Sequence, residues 1–187
     1  AMVPTTNPLK MEAAYGLMGR TVAKSMDIEL IESTHLPDDL QGHFLIAGYF
    51  DRSIERFQPY REGSGFKCRR LPKFLESDHP AFRPIEVHVG PDGAIYVLDW
   101  FNPIIGHYQS SFRHPMRDKL HGRIWRITAK DRPMVQPPNL AAQDAAAMLN
   151  LLRHRESWVR TQAKRRLAEM DSQELRPILN RWIDEAA

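Results

Sequence analysis

The sequence predicts a mainly β protein with an α-helical C-terminal segment, and three observations carry that expectation. Short β-rich runs separated by Gly, Pro and Asp turns recur from Ile28 to Thr128, composition changes abruptly between Pro133 and Pro138, and beyond that boundary apolar residues return at helical spacing. The chain accordingly divides into a leading segment 1–27, a β segment 28–133 and a helical segment 139–187.

In the leading segment, Pro4, Pro8, Gly16 and Gly19 interrupt scattered apolar residues, leaving room for one short helix near Met11 to Leu17. Ala1 ahead of Met2 reads as a cloning remnant, so the chain is expected to be a piece of a longer protein. It shows neither a signal peptide nor an apolar run long enough to predict a membrane span.

Seven strands are expected, over Ile28–Ser33, Gly42–Phe50, Ser53–Tyr60, Phe66–Leu75, Ile85–Val89, Ala94–Trp100 and Arg123–Thr128. Pro37-Asp38-Asp39, Glu62-Gly63-Ser64-Gly65 and Gly90-Pro91-Asp92-Gly93 supply the turns. The clearest hairpin is Ile85 to Trp100, whose Pro-Asp-Gly turn ends in a glycine able to take the positive φ that the reversal requires. A sandwich, a barrel and consecutive propeller blades fit this strand spacing equally well.

After Pro137 and Pro138, Asn139 is placed to cap a helix reaching about His154, with Ala142, Ala145, Ala146, Leu149 and Leu152 on one face. Ser157 is placed to cap a second helix carrying Val159, Ala163 and Leu167. Asp171 and Glu174 form a capping-box pattern for a third, with Leu175, Ile178, Leu179, Trp182 and Ile183, and Pro177 is expected to delay or kink its start. Three such helices make about one and a half units of a helix-pair repeat. They are expected to pack on the β segment through Leu149, Leu152, Val159 and Leu167.

The 187 residues carry 26 basic and 23 acidic side chains, a net charge of +3, spread without a concentrated basic block. The basic run Arg153, Arg155, Arg160, Lys164, Arg165 and Arg166 lacks interleaved aromatics and reads as a solvated helix face, so no nucleic-acid partner is expected. The single cysteine, Cys68, excludes an internal disulfide framework and any Cys-x-x-Cys motif within the chain. Its basic neighbours Lys67 and Arg69 favour a lowered pKa, but it is assigned no role.

Chemistry-bearing groups concentrate in the irregular stretch Asp99 to His121, which holds Asp99, Asn102, His107, Arg113, His114, Arg117, Asp118 and His121. His107 is the candidate general base, because an imidazole titrates near neutrality; the competing role is a packed histidine bonded to a backbone carbonyl. Asp99 and Asn102 are spaced to accept bonds from loop amides at a strand end. Burial of Trp100, Phe101, Pro103, Ile104, Ile105, Tyr108 and Phe112 is expected to order the loop. Trp100 and Phe101 suit core filling, or stacking on a sugar or flat cofactor, while Trp125, Trp158 and Trp182 are expected in the core. No metal site is predicted.

The runs Phe82-Arg83-Pro84, Gly90 to Trp100, Asn102-Pro103-Ile104-Ile105-Gly106-His107 and His121-Gly122-Arg123-Ile124-Trp125-Arg126 carry a family resemblance. The weaker His35-Leu36-Pro37-Asp38-Asp39-Leu40-Gln41-Gly42, Gly63-Ser64-Gly65-Phe66-Lys67 and Ser157-Trp158-Val159-Arg160 support it. With them the sequence resembles the large secreted "membrane-bound dehydrogenase" proteins of planctomycetes and verrucomicrobia. That resemblance implies the last blades, fewer than two, of a propeller like that of quinone-dependent sugar dehydrogenases, followed by HEAT-type repeats. It implies an exported, periplasmic or secreted parent that oxidises sugars or alcohols with pyrroloquinoline quinone and calcium and passes electrons to a cytochrome c domain. The partners implied are the remainder of the propeller, further helical repeats and a small sugar or alcohol. Under it, Arg83, Asp99, Asn102, Arg113, His121 and Arg123 are candidate cofactor-binding residues, the arginines gripping quinone carboxylates or, alternatively, forming structural ion pairs. The chain alone is expected to hold no cofactor and to be inactive. The alternative is a non-enzymatic module that binds protein or carbohydrate.

Overall fold

The computed structural model describes residues 24–105 and 111–185. Strands β1 (Ser25–Leu30), β2 (Phe44–Gly48), β3 (Ser53–Glu62) and β4 (Gly65–Glu76) form an antiparallel meander in that order. Strands β5 (Pro84–Val89), β6 (Ile95–Asp99) and β7 (Arg123–Ile127) form a second sheet, again in chain order. Helices α1 (Ala145–Leu151), α2 (Ser157–Ala168) and α3 (Ser172–Asp184) follow. The protein is therefore mainly antiparallel β with three C-terminal helices, and among the described residues neither sheet closes into a barrel or propeller. The short helix expected near Met11 to Leu17 lies outside the described residues.

Compaction does not follow chain order. One unit takes in 24–31, Gly42–His88 and Tyr96–Arg126, while the other takes in Glu32–Gln41, Val89–Ile95 and 127–185. Two short pieces from the β region thus belong with the helices.

In the first unit, Leu45, Ile46 and Ala47 are buried in succession, so β2 is covered on both faces, and Ile54, Phe57, Val87 and Val97 are buried with them. Gly63, at φ +57°, opens the two-residue turn between the paired Glu62 and Gly65. Strand β1 begins before the expected Ile28 and reverses the usual alternation. Met26, Ile28 and Leu30 are exposed, whereas Asp27 and Glu29 are half-buried, because Asp27 Oδ2 accepts the Val87 N–H at 2.9 Å. The fully buried Glu55 is held by Arg70 Nη2 at 2.7 Å, Arg70 Nε at 2.9 Å and Ser53 Oγ at 3.0 Å. The Cys68 thiol is raised by burial rather than lowered, desolvation disfavouring its thiolate.

In the second unit, the Gly90 to Ala94 turn closes with Gly93 N donating to Gly90 O at 3.0 Å and Gly90 N to Ala94 O at 2.9 Å. His35 is buried beneath it. Its Nε2 accepts the Ala129 N–H at 2.9 Å, which fixes Nδ1 as the protonated nitrogen donating to Pro133 O at 2.9 Å. Glu156 is also buried and accepts Thr34 N at 3.0 Å and Thr34 Oγ1 at 2.6 Å.

Two helix starts differ from expectation. Asn139 caps only a 3-10 turn, Leu140–Ala142, and Asp144 caps α1 through the Ala147 N–H at 2.8 Å. Glu156, not Ser157, occupies the cap of α2. Asp171 caps α3 as the sequence implies, through Gln173 N at 2.8 Å and Glu174 N at 3.2 Å. Helix α3 runs from Ser172 with Pro177 inside it rather than starting late. Met148, Leu149, Ala163 and Leu167 make the helical core, covered by Leu152, Leu175, Ile178, Leu179 and Trp182.

Candidate functional site

The site grows from the end of β6. Ile95, Val97 and Asp99 occupy alternate positions and are all buried, so the pleat that puts two aliphatic side chains inside also carries a carboxylate there. A buried carboxylate must be satisfied by donors. Asp99 Oδ1 accepts the backbone N–H of Arg83 at 2.8 Å and of Phe101 at 2.9 Å. Asp99 Oδ2 accepts Arg123 Nε and Nη2, both at 2.9 Å, and Trp125 Nε1 at 3.2 Å. These five N–H groups occupy the roughly four lone-pair positions of a carboxylate. Asp99 is therefore committed to its own chain.

The Phe101 N–H bond closes a tight turn in which Phe101 takes φ +53°, an uncommon conformation for an aromatic residue. That turn presents the Phe101 ring to two partners. Arg123 lies over it at 3.8 Å, and His79 stacks on it at 5.6 Å. Asn102, buried, repeats the device: its Oδ1 accepts Ile104 N at 3.1 Å while its Nδ2 donates to Asp118 O at 3.3 Å.

Asp118 closes the far end of the loop. Its Oδ1 accepts Leu120 N and His121 N, both at 2.9 Å, and His121 Nδ1 lies 2.9 Å from Oδ2. The Leu120 amide, with His121 after it, holds this carboxyl below the ordinary aspartate range. Whatever order the carboxylate gives the turn is thus present above the ordinary aspartate pKa and lost as pH falls through the depressed value. Arg117 donates from Nε to Ser111 O at 2.9 Å, and His114 Nδ1 accepts Met116 N at 3.2 Å.

Between these turns lies a broad open cleft of about 850 Å³, bordered by His79, Phe101, Pro103, His114, Met116, Arg117, Asp118, Lys119, Leu120 and His121. Its wall combines a stacked aromatic pair with imidazole, guanidinium and ammonium groups, and among the described residues Asp118 is its one bordering carboxylate. Such a wall suits a flat ligand bearing negative charge.

Of the predicted site residues, the structure brings Arg83, Asp99 and Arg123 into one cluster, and joins Asn102 and His121 through Asp118. Arg113 stands apart, donating its backbone N–H to Ser111 Oγ at 3.1 Å. His107 and Tyr108 lie outside the described residues. Sequence reasoning missed His79, which no local pattern sets opposite Phe101.

Several aromatic placements are corrected. Trp125 is 44% exposed and serves as a donor to Asp99 rather than filling the core, and Trp100, 40% exposed, stacks on Tyr49 at 5.8 Å. Trp158 and Trp182 are half-buried, the latter donating from Nε1 to Asn150 Oδ1 at 2.9 Å. Phe112 is 79% exposed, so hydrogen-bonded turns organise this end of the loop more than apolar burial does.

Fold and site together define a mainly antiparallel β protein with a hydrogen-bonded loop cleft at a strand end. A family model described as a domain of unknown function, DUF7133, matches residues 2–131, and the chain belongs to that family. No curated protein matches. A crystal structure from Thermus thermophilus, provisionally described as an oxidoreductase (glucose dehydrogenase), is 26% identical. The match covers 46% of this chain and 22% of that one, with a TM-score of 0.32.

Proposed function

We propose that the chain forms one wall of the ligand site in an exported, quinone-dependent sugar or alcohol dehydrogenase-like protein. The observation that carries this reading is the cleft's composition. The His79–Phe101 stack offers a surface for a planar ring, and His114, Arg117, Lys119 and His121 offer partners for carboxylates. Pyrroloquinoline quinone has that shape and charge and would supply the redox chemistry when bound. The motif resemblance set out above supports the same class.

In this reading Asp99, with Arg83 and Arg123, positions Phe101 and does not touch the ligand, because its acceptor capacity is filled. Calcium is not assigned to these residues: no cluster of three His, Cys, Asp or Glu suited to a metal is present among the described residues. The rest of the propeller completes the pocket, HEAT-type repeats follow, and a cytochrome c domain takes the electrons. Among the described residues no helix is long and apolar enough to cross a membrane.

A second reading, a non-enzymatic protein-binding module, is favoured by the exposure of Phe112 (79%), Met116 (62%) and Leu120 (89%) near the cleft. Titration with pyrroloquinoline quinone, read by tryptophan fluorescence and followed by dye reduction with glucose, separates the cases. Weak saturable binding, reduced in Lys119→Ala and without turnover, is the expected result. Absence of binding at millimolar quinone would remove the cleft reading, and robust turnover would remove the claim that one wall is insufficient.

A further inference from the structure

A second cationic cluster lies around Tyr49, within electrostatic reach of the cleft residue Arg117. Arg83 is 7% exposed; its Nη1 donates to Phe82 O at 2.8 Å, yet its buried Nε has no partner among the described residues. Leaving a charged donor buried and unbonded is costly. Arg83 donates only its backbone N–H to Asp99, whose carboxylate is already filled by Arg123, Trp125 and two amides.

The surroundings add positive charge that Tyr49 and Asp99 offset only in part, since the Arg83 pKa is lowered overall. After desolvation, the chief influence lowering the Arg83 pKa is the neighbouring charge of Arg52. Arg52 has no ion-pair partner among the described residues; it is held at φ +52°, with its carbonyl accepting the Ser77 N–H at 3.1 Å. Lys24 Nζ sits 5.5 Å from the rings of both Tyr49 and Phe50. Exposed aromatic surface adjoins this charge, since Phe50 is 43% and Trp100 40% exposed and both rings pack on Tyr49.

We propose that Arg52 and Arg83, beside Tyr49, form a binding site for a small oxyanion, a phosphate or carboxylate group whose oxygen accepts the Arg83 Nε–H. An oxyanion satisfies the unbonded donor and offsets the repulsion between the two guanidinium groups. Phe50 and Trp100 then border any aromatic body attached to it. This site does not rest on the dehydrogenase reading.

The test uses the full chain labelled with ¹⁵N-arginine, observing side-chain Nε–H signals during titration with inorganic phosphate and, separately, benzoate. Sodium chloride at equal ionic strength is the reference. A saturable shift of the Arg83 signal is expected with at least one anion: phosphate alone marks a phosphate site, benzoate alone a carboxylate site with aromatic contact. Arg52→Ala, at a less buried position, should weaken binding about tenfold, the equivalent of one charge-assisted hydrogen bond. An Arg83 signal that neither anion moves beyond chloride would overturn the proposal, as would unchanged affinity in Arg52→Ala.

Discussion

Asp99→Ala is expected to lose about 3–5 kcal/mol of stability in urea denaturation, the range for removing one partner of a buried charge pair. The size follows from what is orphaned. The substitution strips an acceptor from the Arg83 and Phe101 amides, the Trp125 indole and the Arg123 guanidinium at once. Arg123 is 31% exposed and can recover water, which draws the expected loss toward the lower figure. Asp99→Asn should recover only part: an amide oxygen can still accept the two backbone N–H groups, but the amide NH₂ then faces the guanidinium and indole donors. If Asp99→Ala cost under about 1 kcal/mol, Asp99 would be behaving as an ordinary surface ion-pair partner.

Gly93→Ala is expected to be of similar size in the other compact unit, about 2–5 kcal/mol, from left-handed strain plus overpacking. Gly93 holds φ +81°, and a β-carbon there would lie 2.6 Å from Ser33 Oγ, 2.6 Å from Val135 Cγ2 and 2.8 Å from His35 Cβ. Two of those neighbours are themselves constrained. Ser33 Oγ donates to the Gly93 carbonyl at 2.9 Å, and the His35 ring is bonded at both nitrogens. Gly63→Ala, at φ +57° with open space around it, should cost only the backbone strain. Thermal melts of the two variants separate conformation from packing, and equal losses would remove the packing component.

The strands were legible because turn chemistry punctuates them: Gly63 and Gly93 sit where the chain reverses. Asp99 was also within reach, since alternation from Ile95 through Val97 places it on the buried face. What sequence could not supply is the long-range pairing that makes the site. The indole of Trp125 reaches Asp99 across the β6–β7 connection, and His79 meets Phe101 only after the chain has turned through β5 and β6. Aromatic residues were read as core because area burial dominates their average behaviour, but here Trp100 and Trp125 serve by stacking and by donating at the surface. The start of α1 shifted because a better acceptor, Asp144, stood nearby.

The commitment of the Asp99 carboxylate to its own chain is the centre of the functional reading, and amide hydrogen exchange measures it directly at Arg83 and Phe101. Both N–H groups bond the same oxygen in a buried site, so both should exchange slowly at neutral pH and remain protected when pyrroloquinoline quinone is added. Exchange at the rate of free amides, or loss of protection at both on adding quinone, would instead mean that the carboxylate is available to a ligand.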